Sequence, residues 1–276
     1  MRRLIIVVPV YKPSASEYED RSLRQLYDVC GKYDVCFFHP EGLDLSYYKS
    51  LASTKTTFKS FPKKYFQSLE TYSKLLMKPS FYKAFSEYDY MLIYQPDAFI
   101  FRDELEQWME ADYDYIGAPF WFYYTTIREK AQYGGVGNGG FSLRKISSMQ
   151  RVLNSWGPFY DRRDIDELKA NKNFKGRMLY EGLYWLGKIG IANNTWYWLN
   201  AFSGYEDYFW GCFAGPKKKW MKFPEYKEAM KFAFEFNCVK MFEENNHQLP
   251  MGCHRWWGED KEFWKPHFRK YNIEIK

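Results

Sequence analysis

The sequence predicts an α/β domain: a mixed, mostly parallel sheet flanked by helices. Three features carry that reading. Leu4-Ile5-Ile6-Val7-Val8-Pro9-Val10 is a continuous, largely β-branched apolar run, the pattern of a strand buried on both faces. Residues 16–33 follow with helical spacing, Leu23, Leu26 and Tyr27 lying on one face. Asp34-Val35-Cys36-Phe37-Phe38-His39-Pro40 is a second short strand, and the three together make a β-α-β opening.

The remaining elements follow in order. Residues 66–85 form a long helical region that Pro79 interrupts. Residues 88–94 (Tyr-Asp-Tyr-Met-Leu-Ile-Tyr) are a third strand running into Gln95-Pro96-Asp97. Residues 103–111 form a short helix, and 113–118 a strand stopped at Pro119. Gly134-Gly135-Val136-Gly137-Asn138-Gly139-Gly140 is a loop leading into Phe141-Ser142-Leu143-Arg144, and its glycines let backbone approach a ligand closely. Residues 146–156 read as helix, 161–175 as a charged surface excursion and 225–236 as helix. With no internal repeat and no low-complexity linker, residues 1–276 read as one domain.

The net charge of +6 suits phosphates, other small anions or an anionic membrane face, and no nucleic-acid-binding motif accompanies it. Five cysteines, an odd number without a Cys-x-x-Cys pair, argue for reduced thiols and against a disulfide framework or zinc knuckle. The apolar run after Arg2-Arg3 is too short for a signal-peptide core, and no stretch reaches the ~20 apolar residues of a membrane span. A cytoplasmic protein, soluble or peripheral at the inner membrane face, is expected. Aromatic residues make up 22%, more than a core alone asks for, and ring faces pack well on sugars.

Several residues could carry chemistry. Asp97 lies just past a strand end, where α/β sheets bind ligands, and suits a divalent cation; a simple turn aspartate fits equally. Glu206-Asp207 sits among aromatics, where burial raises carboxylate basicity. The same pair is also consistent with a helix start, Ser203 being the N-cap and Glu206 completing a capping box. His254, beside Arg255, suits a metal or phosphate contact or plain packing. Lys217-Lys218-Lys219-Trp220, with Phe223, reads as a solvated face or a membrane contact.

In combination these pieces resemble the GT-A (Rossmann-type) glycosyltransferases. Val7-Val8-Pro9-Val10-Tyr11 resembles their opening strand and nucleotide-binding turn, and Gln95-Pro96-Asp97 falls where they carry Asp-x-Asp. Asn138-Gly139-Gly140-Phe141-Ser142-Leu143-Arg144 is similar to their glycine-containing donor and acceptor segment. Tyr205-Glu206-Asp207 resembles the x-Glu-Asp motif of inverting members, and Gly252-Cys253-His254 the histidine completing the metal site. Taken with Asp-Tyr-Ile-Gly-Ala-Pro, Glu-Asp-Tyr-Phe and Gly-Cys-His, the set is similar to a bacterial family of formerly unknown function found among surface-polysaccharide genes.

The resemblance implies a nucleotide-binding half at 1–118, an acceptor and catalytic half at 119–257 and a basic tail at 258–276. It implies a nucleotide-sugar donor, most simply a UDP-sugar, bound by Pro9, Val10, Tyr11, Lys12, Gln95, Asp97, Asn138, Gly139, Gly140 and Arg255. It implies Mn²⁺ or Mg²⁺ on Asp97 and His254, and Asp207 as base, with Glu206 orienting the acceptor or positioning Asp207. Arg144 would anchor the loop. The acceptor would be a glycan or lipid-linked glycan, with the basic tail touching an anionic inner membrane. One departure stands out: Gln95 replaces the first acid of Asp-x-Asp. A neutral amide does not replace a carboxylate on a hard cation, although it hydrogen-bonds a ribose or sugar. A glycoside hydrolase using Asp97 and Asp207, or a carbohydrate-binding module, is the alternative.

Overall fold

The computed structural model describes residues 2–122, 132–202 and 204–276. The first apolar run forms strand β1 (Leu4–Pro9), buried at all six positions. The other strands are β2 (Asp34–Pro40), β3 (Thr56–Phe61), β4 (Tyr90–Tyr94), β5 (Ala98–Ile100), β6 (Tyr115–Gly117), β7 (Pro119–Phe122), β8 (Gln132–Val136), β9 (Phe141–Lys145), β10 (Ala233–Phe234) and β11 (Gly252–His254). Six of them make the central sheet, in the order β3-β2-β1-β4-β9-β6. β3, β2, β1 and β4 run parallel, while β9 pairs antiparallel with both β4 and β6. The sheet is therefore mixed and mostly parallel, flanked by helices, as expected. β10-β11-β5 and β7-β8 form two small accessory sheets.

Alternation along β1 divides the core. Leu4, Ile6 and Val8 pack with Leu23 and Leu26 on one face of the sheet. Ile5 and Val7 pack with Leu75, Leu76 and Phe81 on the other. The first helix, Glu17–Cys30, starts with a complete capping box in which the Ser16 hydroxyl accepts from the Glu19 amide and Glu19 accepts from the Ser16 amide. The Pro79 break is also present: one helix ends at Leu76 and the next, Pro79–Lys83, takes the proline at its first turn.

Other elements depart from the sequence reading. β3 was not expected, because Thr-Thr-Phe-Lys-Ser-Phe has no apolar run; at the sheet edge it has only one neighbour strand and no need of one. Strand β8 extends into the loop read at 134–140, and the segment that this loop leads into is strand β9, whose polar Ser142 and Arg144 are fully buried in the sheet. The helix read at 225–236 stops at Phe232, where Ala233 turns extended to pair with Gly252. The excursion at 161–175 contains the helix Arg162–Ala170, and a second helix follows at Phe174–Lys188. No helix among the described residues is long and apolar enough to cross a membrane. No disulfide joins the cysteines of the described residues.

The segment read as a basic tail forms a helix, Lys261–Phe268, whose Trp264 and Phe268 are fully buried. They pack with Phe99, Phe234, Cys253 and Trp256 in a third core cluster beneath β5 and β11. Trp264 stacks on Phe101 at 5.9 Å, and Phe268 on Trp256 at 4.1 Å. Trp264→Ala should therefore cost about 3–5 kcal/mol in urea denaturation, the usual range for a buried large aromatic. A change near zero would mean that the segment only lies on the surface.

Candidate functional site

The chain steps outward from β1 to β2 to β3, then returns to the other side of β1 as β4. The space past the carboxyl ends of β1 and β4 is thus a topological switch point, where open α/β sheets bind ligands. A cavity of about 410 Å³ lies there, with Pro9, Tyr11, Gln95, Pro96, Asp97 and Trp257 in its walls. A second, of about 590 Å³, is lined in part by Asn138, Gly139, Gly140, Glu206, Asp207, His254 and Arg255. Leu69, Tyr72, Gln95 and Asp97 border both, so the two form one cleft.

Two strand reversals bring its far walls in. β9 runs against β4, pairing Phe141 with Tyr94, so the loop before β9 arrives at the carboxyl end of β4. There the Gln95 amide donates to the Gly140 carbonyl at 2.8 Å. β11 runs against β5, pairing His254 with Ala98, which sets the histidine beside Asp97.

Three oxygens surround the His254 ring. Nε2 lies 3.0 Å from Asp97 Oδ1 and 3.1 Å from Gln95 Oε1, and Nδ1 lies 3.0 Å from Glu235 Oε1. Burial disfavours a charged ring, but Asp97 and Glu235 outweigh it and hold His254 up at about 10. Burial by itself would raise the Asp97 carboxyl, yet the facing His254 brings it below its usual value. Burial raises Glu235, whose Oε2 has no hydrogen-bond partner among the described residues. Arg255 takes a left-handed backbone (φ 55°), and its amide donates to the Asp97 carbonyl at 2.9 Å. Its guanidinium pairs with Glu259 at 3.1 Å.

Across the loop lies the acid pair, on the short helix Glu206–Tyr208. Both Glu206 oxygens accept from Arg144, each at 2.8 Å. Arg144 has no exposed surface and also donates to the Tyr82 hydroxyl (3.1 Å) and to Ser142 Oγ (3.0 Å). Burial drives the Glu206 carboxyl up, and Arg144 opposes that rise. Both Glu206 oxygens are thus engaged by Arg144, and Glu206 directly precedes Asp207 on this helix. Asp207 accepts from the Gly139 amide (3.2 Å) and from the Tyr208 amide (2.7 Å). Burial still leaves it above the ordinary carboxylate value.

Gly139 and Gly140 are the spacers between these groups. A β-carbon on Gly139 would lie 2.4 Å from Glu206 Oε1, and one on Gly140 would lie 2.1 Å from His254 Nε2. Neither position has room for a side chain. Asn138 closes the turn, its Oδ1 accepting from the Gly140 amide at 2.9 Å.

The cleft thus gathers Pro9, Tyr11, Gln95, Asp97, Asn138, Gly139, Gly140, Glu206, Asp207, His254 and Arg255. It does not gather Val10, which is buried in the core; Lys12 is exposed, with its amine 5.4 Å from the ring centre of Tyr11 in the cavity wall. The proposed N-cap Ser203 lies outside the described residues; Tyr205 stands at the helix N-cap and makes no side-chain cap bond. Sequence reasoning missed Glu235 and Tyr72. The available signal for Glu235 was a single carboxylate inside Phe232-Ala233-Phe234-Glu235-Phe236, where an unpaired charge would be costly. Tyr72 was hidden in a helical stretch; its hydroxyl meets Gln95 Nε2 at 3.5 Å.

Once its ring gives up the proton that Asp97 and Glu235 hold on it, His254 offers, with Asp97 and Gln95, an imidazole nitrogen, a carboxylate oxygen and an amide oxygen. That set fits part of the shell of Mn²⁺ or Mg²⁺. Among the described residues no three His, Cys, Asp or Glu side chains form a metal cluster, so the shell would need substrate and water oxygens. Glu235, behind the imidazole, stands where a carboxylate orients a metal-ligating histidine.

The fold and cleft define an α/β protein with an open cleft at its sheet switch point, between an acidic pair and a histidine-carboxylate cluster. The chain belongs to the family described as "Protein of unknown function (DUF5672)", which matches residues 55–254. No curated protein matches it in sequence. Among solved structures it is similar to the galactosyltransferase LgtC in complex with donor and acceptor sugar analogues. That match has 12% identity, covers 91% of this chain and 86% of the other, and has a TM-score of 0.44. It is also similar to the apo-form glycosyltransferase GlyE of Streptococcus pneumoniae TIGR4, at 12% identity, 92% and 54% coverage and a TM-score of 0.43. A third is a glycosyltransferase involved in glycosylation of the major capsid of PBCV-1, at 9% identity, 97% and 99% coverage and a TM-score of 0.43. At these scores the likeness is one of broad outline.

The buried ion pair gives a direct test. Arg144→Met should cost about 3–5 kcal/mol in chemical denaturation, because Glu206 is left buried without its partner and must take up a proton to stay there. Adding Glu206→Met should restore most of that loss. Additive losses in the double variant would mean that the two side chains do not depend on each other.

Proposed function

We propose that the protein is a glycosyltransferase that moves a sugar from a nucleoside diphosphate, most simply UDP, to a glycan or lipid-linked glycan acceptor. We assign the reaction to surface-polysaccharide synthesis in the bacterial cytoplasm, with inversion at the anomeric carbon. The observation that carries the reading is the division of one cleft. A carboxylate of raised basicity, Asp207, sits on one side of Gly139-Gly140, and the Asp97–His254 cluster sits on the other. A group transfer between a hydroxyl and an anionic leaving group needs those two poles.

The donor diphosphate would lie by Asp97 and His254, with its nucleoside toward Pro9 and Tyr11. Asp97 and His254, with Gln95 Oε1 beside them, would hold Mn²⁺ or Mg²⁺. When bound, such an ion neutralises charge on the leaving diphosphate. Asp207 takes the proton from an acceptor hydroxyl. That oxygen bonds to the anomeric carbon from the face opposite the diphosphate, the carbon–oxygen bond to the diphosphate breaks, and the nucleoside diphosphate leaves. Glu206 positions Asp207 through Arg144, and Glu235 orients His254. The hydrolase alternative needs an acid that stays protonated near neutrality. Asp97, held below its usual range by His254, is poorly suited to that task.

Calorimetric titration with UDP, GDP and CDP, each with Mn²⁺ and with EDTA, tests the class. Metal-dependent binding of one nucleotide is the expected result. Binding that persists in EDTA would keep the transferase and remove the metal, whereas no binding to any nucleotide would overturn the proposal.

Asp207→Asn tests the base. Turnover should fall by about 10²–10⁴-fold with nucleotide affinity unchanged. In the unaltered protein kcat/KM should rise with pH as Asp207 loses its proton. Because burial raises that carboxyl, the acidic limb should sit above the ~4 of a free aspartate. A limb below that value, or normal turnover by Asp207→Asn, would remove Asp207 from the role.

A further inference from the structure

The helix Phe174–Lys188 turns only Leu183 and Gly187 fully inward. Phe174, Met178, Trp185 and Ile189, spaced to share one side of it, stand in solvent, with Phe174 at 78%, Ile189 at 67% and Trp185 at 61% exposure. Ile191, Trp196 and Trp156 are exposed as well, and the Ile191 amide donates to the Leu186 carbonyl at 3.0 Å. Glu181 lies on the same side and accepts from Trp185 Nε1 at 3.1 Å, and the exposed apolar side chains around it mark an interaction site.

Its charge identifies the partner. Between residues 171 and 202 the chain has four cations, Lys172, Lys175, Arg177 and Lys188, and a single acid, Glu181. Glu181 is held by Arg162 at 2.6 Å and by Lys169 at 2.5 Å. No ion pair links any of the four cations to a carboxylate among the described residues. Apolar rings and aliphatic side chains bordered by unpaired cations fit an anionic lipid surface, where the rings enter the headgroup boundary and the amines reach the phosphates. A second copy of the chain would bring the same cations face to face. The site expected from sequence is less suitable: Lys217 pairs with Asp164 at 2.5 Å, Lys219 lies 3.5 Å from Asp161, and the C-terminal helix is packed into the core.

We infer that this face, from Phe174 to Trp196 with Trp156, docks the protein on an anionic membrane. The helix Thr195–Ala201 leads from it directly to Tyr205 and Tyr208 in the cleft wall. Docking there would bring the cleft near an acceptor anchored in the same bilayer; that consequence, unlike the docking itself, rests on the transferase reading.

The test is co-sedimentation with vesicles of phosphatidylcholine alone and of phosphatidylcholine with phosphatidylglycerol. The protein should partition onto the anionic vesicles and be released by salt. The triple variant Phe174→Ser, Trp185→Ser, Ile189→Ser should lose that partition by roughly tenfold or more. Lys172→Glu with Lys175→Glu, fully exposed changes, should weaken it independently should the triple variant misfold. No partition, undiminished partition by folded variants, or a dimer in sedimentation velocity that the triple variant disperses would each overturn the inference. Nucleotide titration of the same variants separates this failure from failure of the transferase reading, because none of these residues lines the cleft.

Discussion

A guanidinium with no exposed surface constrains the whole site. Arg144 sits on the one reversed strand of the central sheet, where an unpaired charge would cost several kcal/mol. Glu206 answers it with both oxygens, and Tyr82 and Ser142 take further donors. That network ties the Glu206–Tyr208 segment and the Pro79–Lys83 helix to the sheet. Asp207 follows Glu206 in the chain, so its position is inherited from the ion pair. The carboxylate we propose as the base is steadied by a neighbour held in an ion pair.

The opposite wall has a different construction. There the antiparallel pairing of β5 and β11 sets His254 beside Asp97, while β10, parallel to β11, delivers Glu235 behind the ring. One wall thus depends on a buried ion pair and the other on strand register. A slip of one residue between β5 and β11 would turn His254 to the other side.

Much of this was legible in the sequence, for identifiable reasons. β1, the capped first helix and the Pro79 break have local causes, namely an apolar run, Ser16 with Glu19, and a missing amide. Asp97, Asp207 and His254 could be picked out because polar residues beside strand ends and glycines are conspicuous. What could not be read has non-local causes. β9 looks polar because its charge is matched by Glu206, which is 62 residues away. Glu235 gains meaning only from a histidine that follows it by 19 residues on another strand. Lys217 and Lys219 looked available because the aspartates that face them, Asp164 and Asp161, lie on a separate helix. The C-terminal segment read as a tail because its charges outnumber its rings in a linear count, whereas Trp264 and Phe268 decide where it packs.

The two adjacent glycines at 139 and 140 have a consequence for the dimensions of the cleft. On one side their backbone meets Glu206 and on the other the His254 imidazole, in both cases with less clearance than a methyl group requires. The separation of the two walls is therefore set by the thickness of a bare polypeptide, the smallest spacer a protein can use. Along this seam the cleft is already at its minimum width. Any gain in room for a bulkier occupant must come from other lining residues, such as Leu69, Tyr72, Tyr205 and Tyr208, whose side chains can be shortened one at a time.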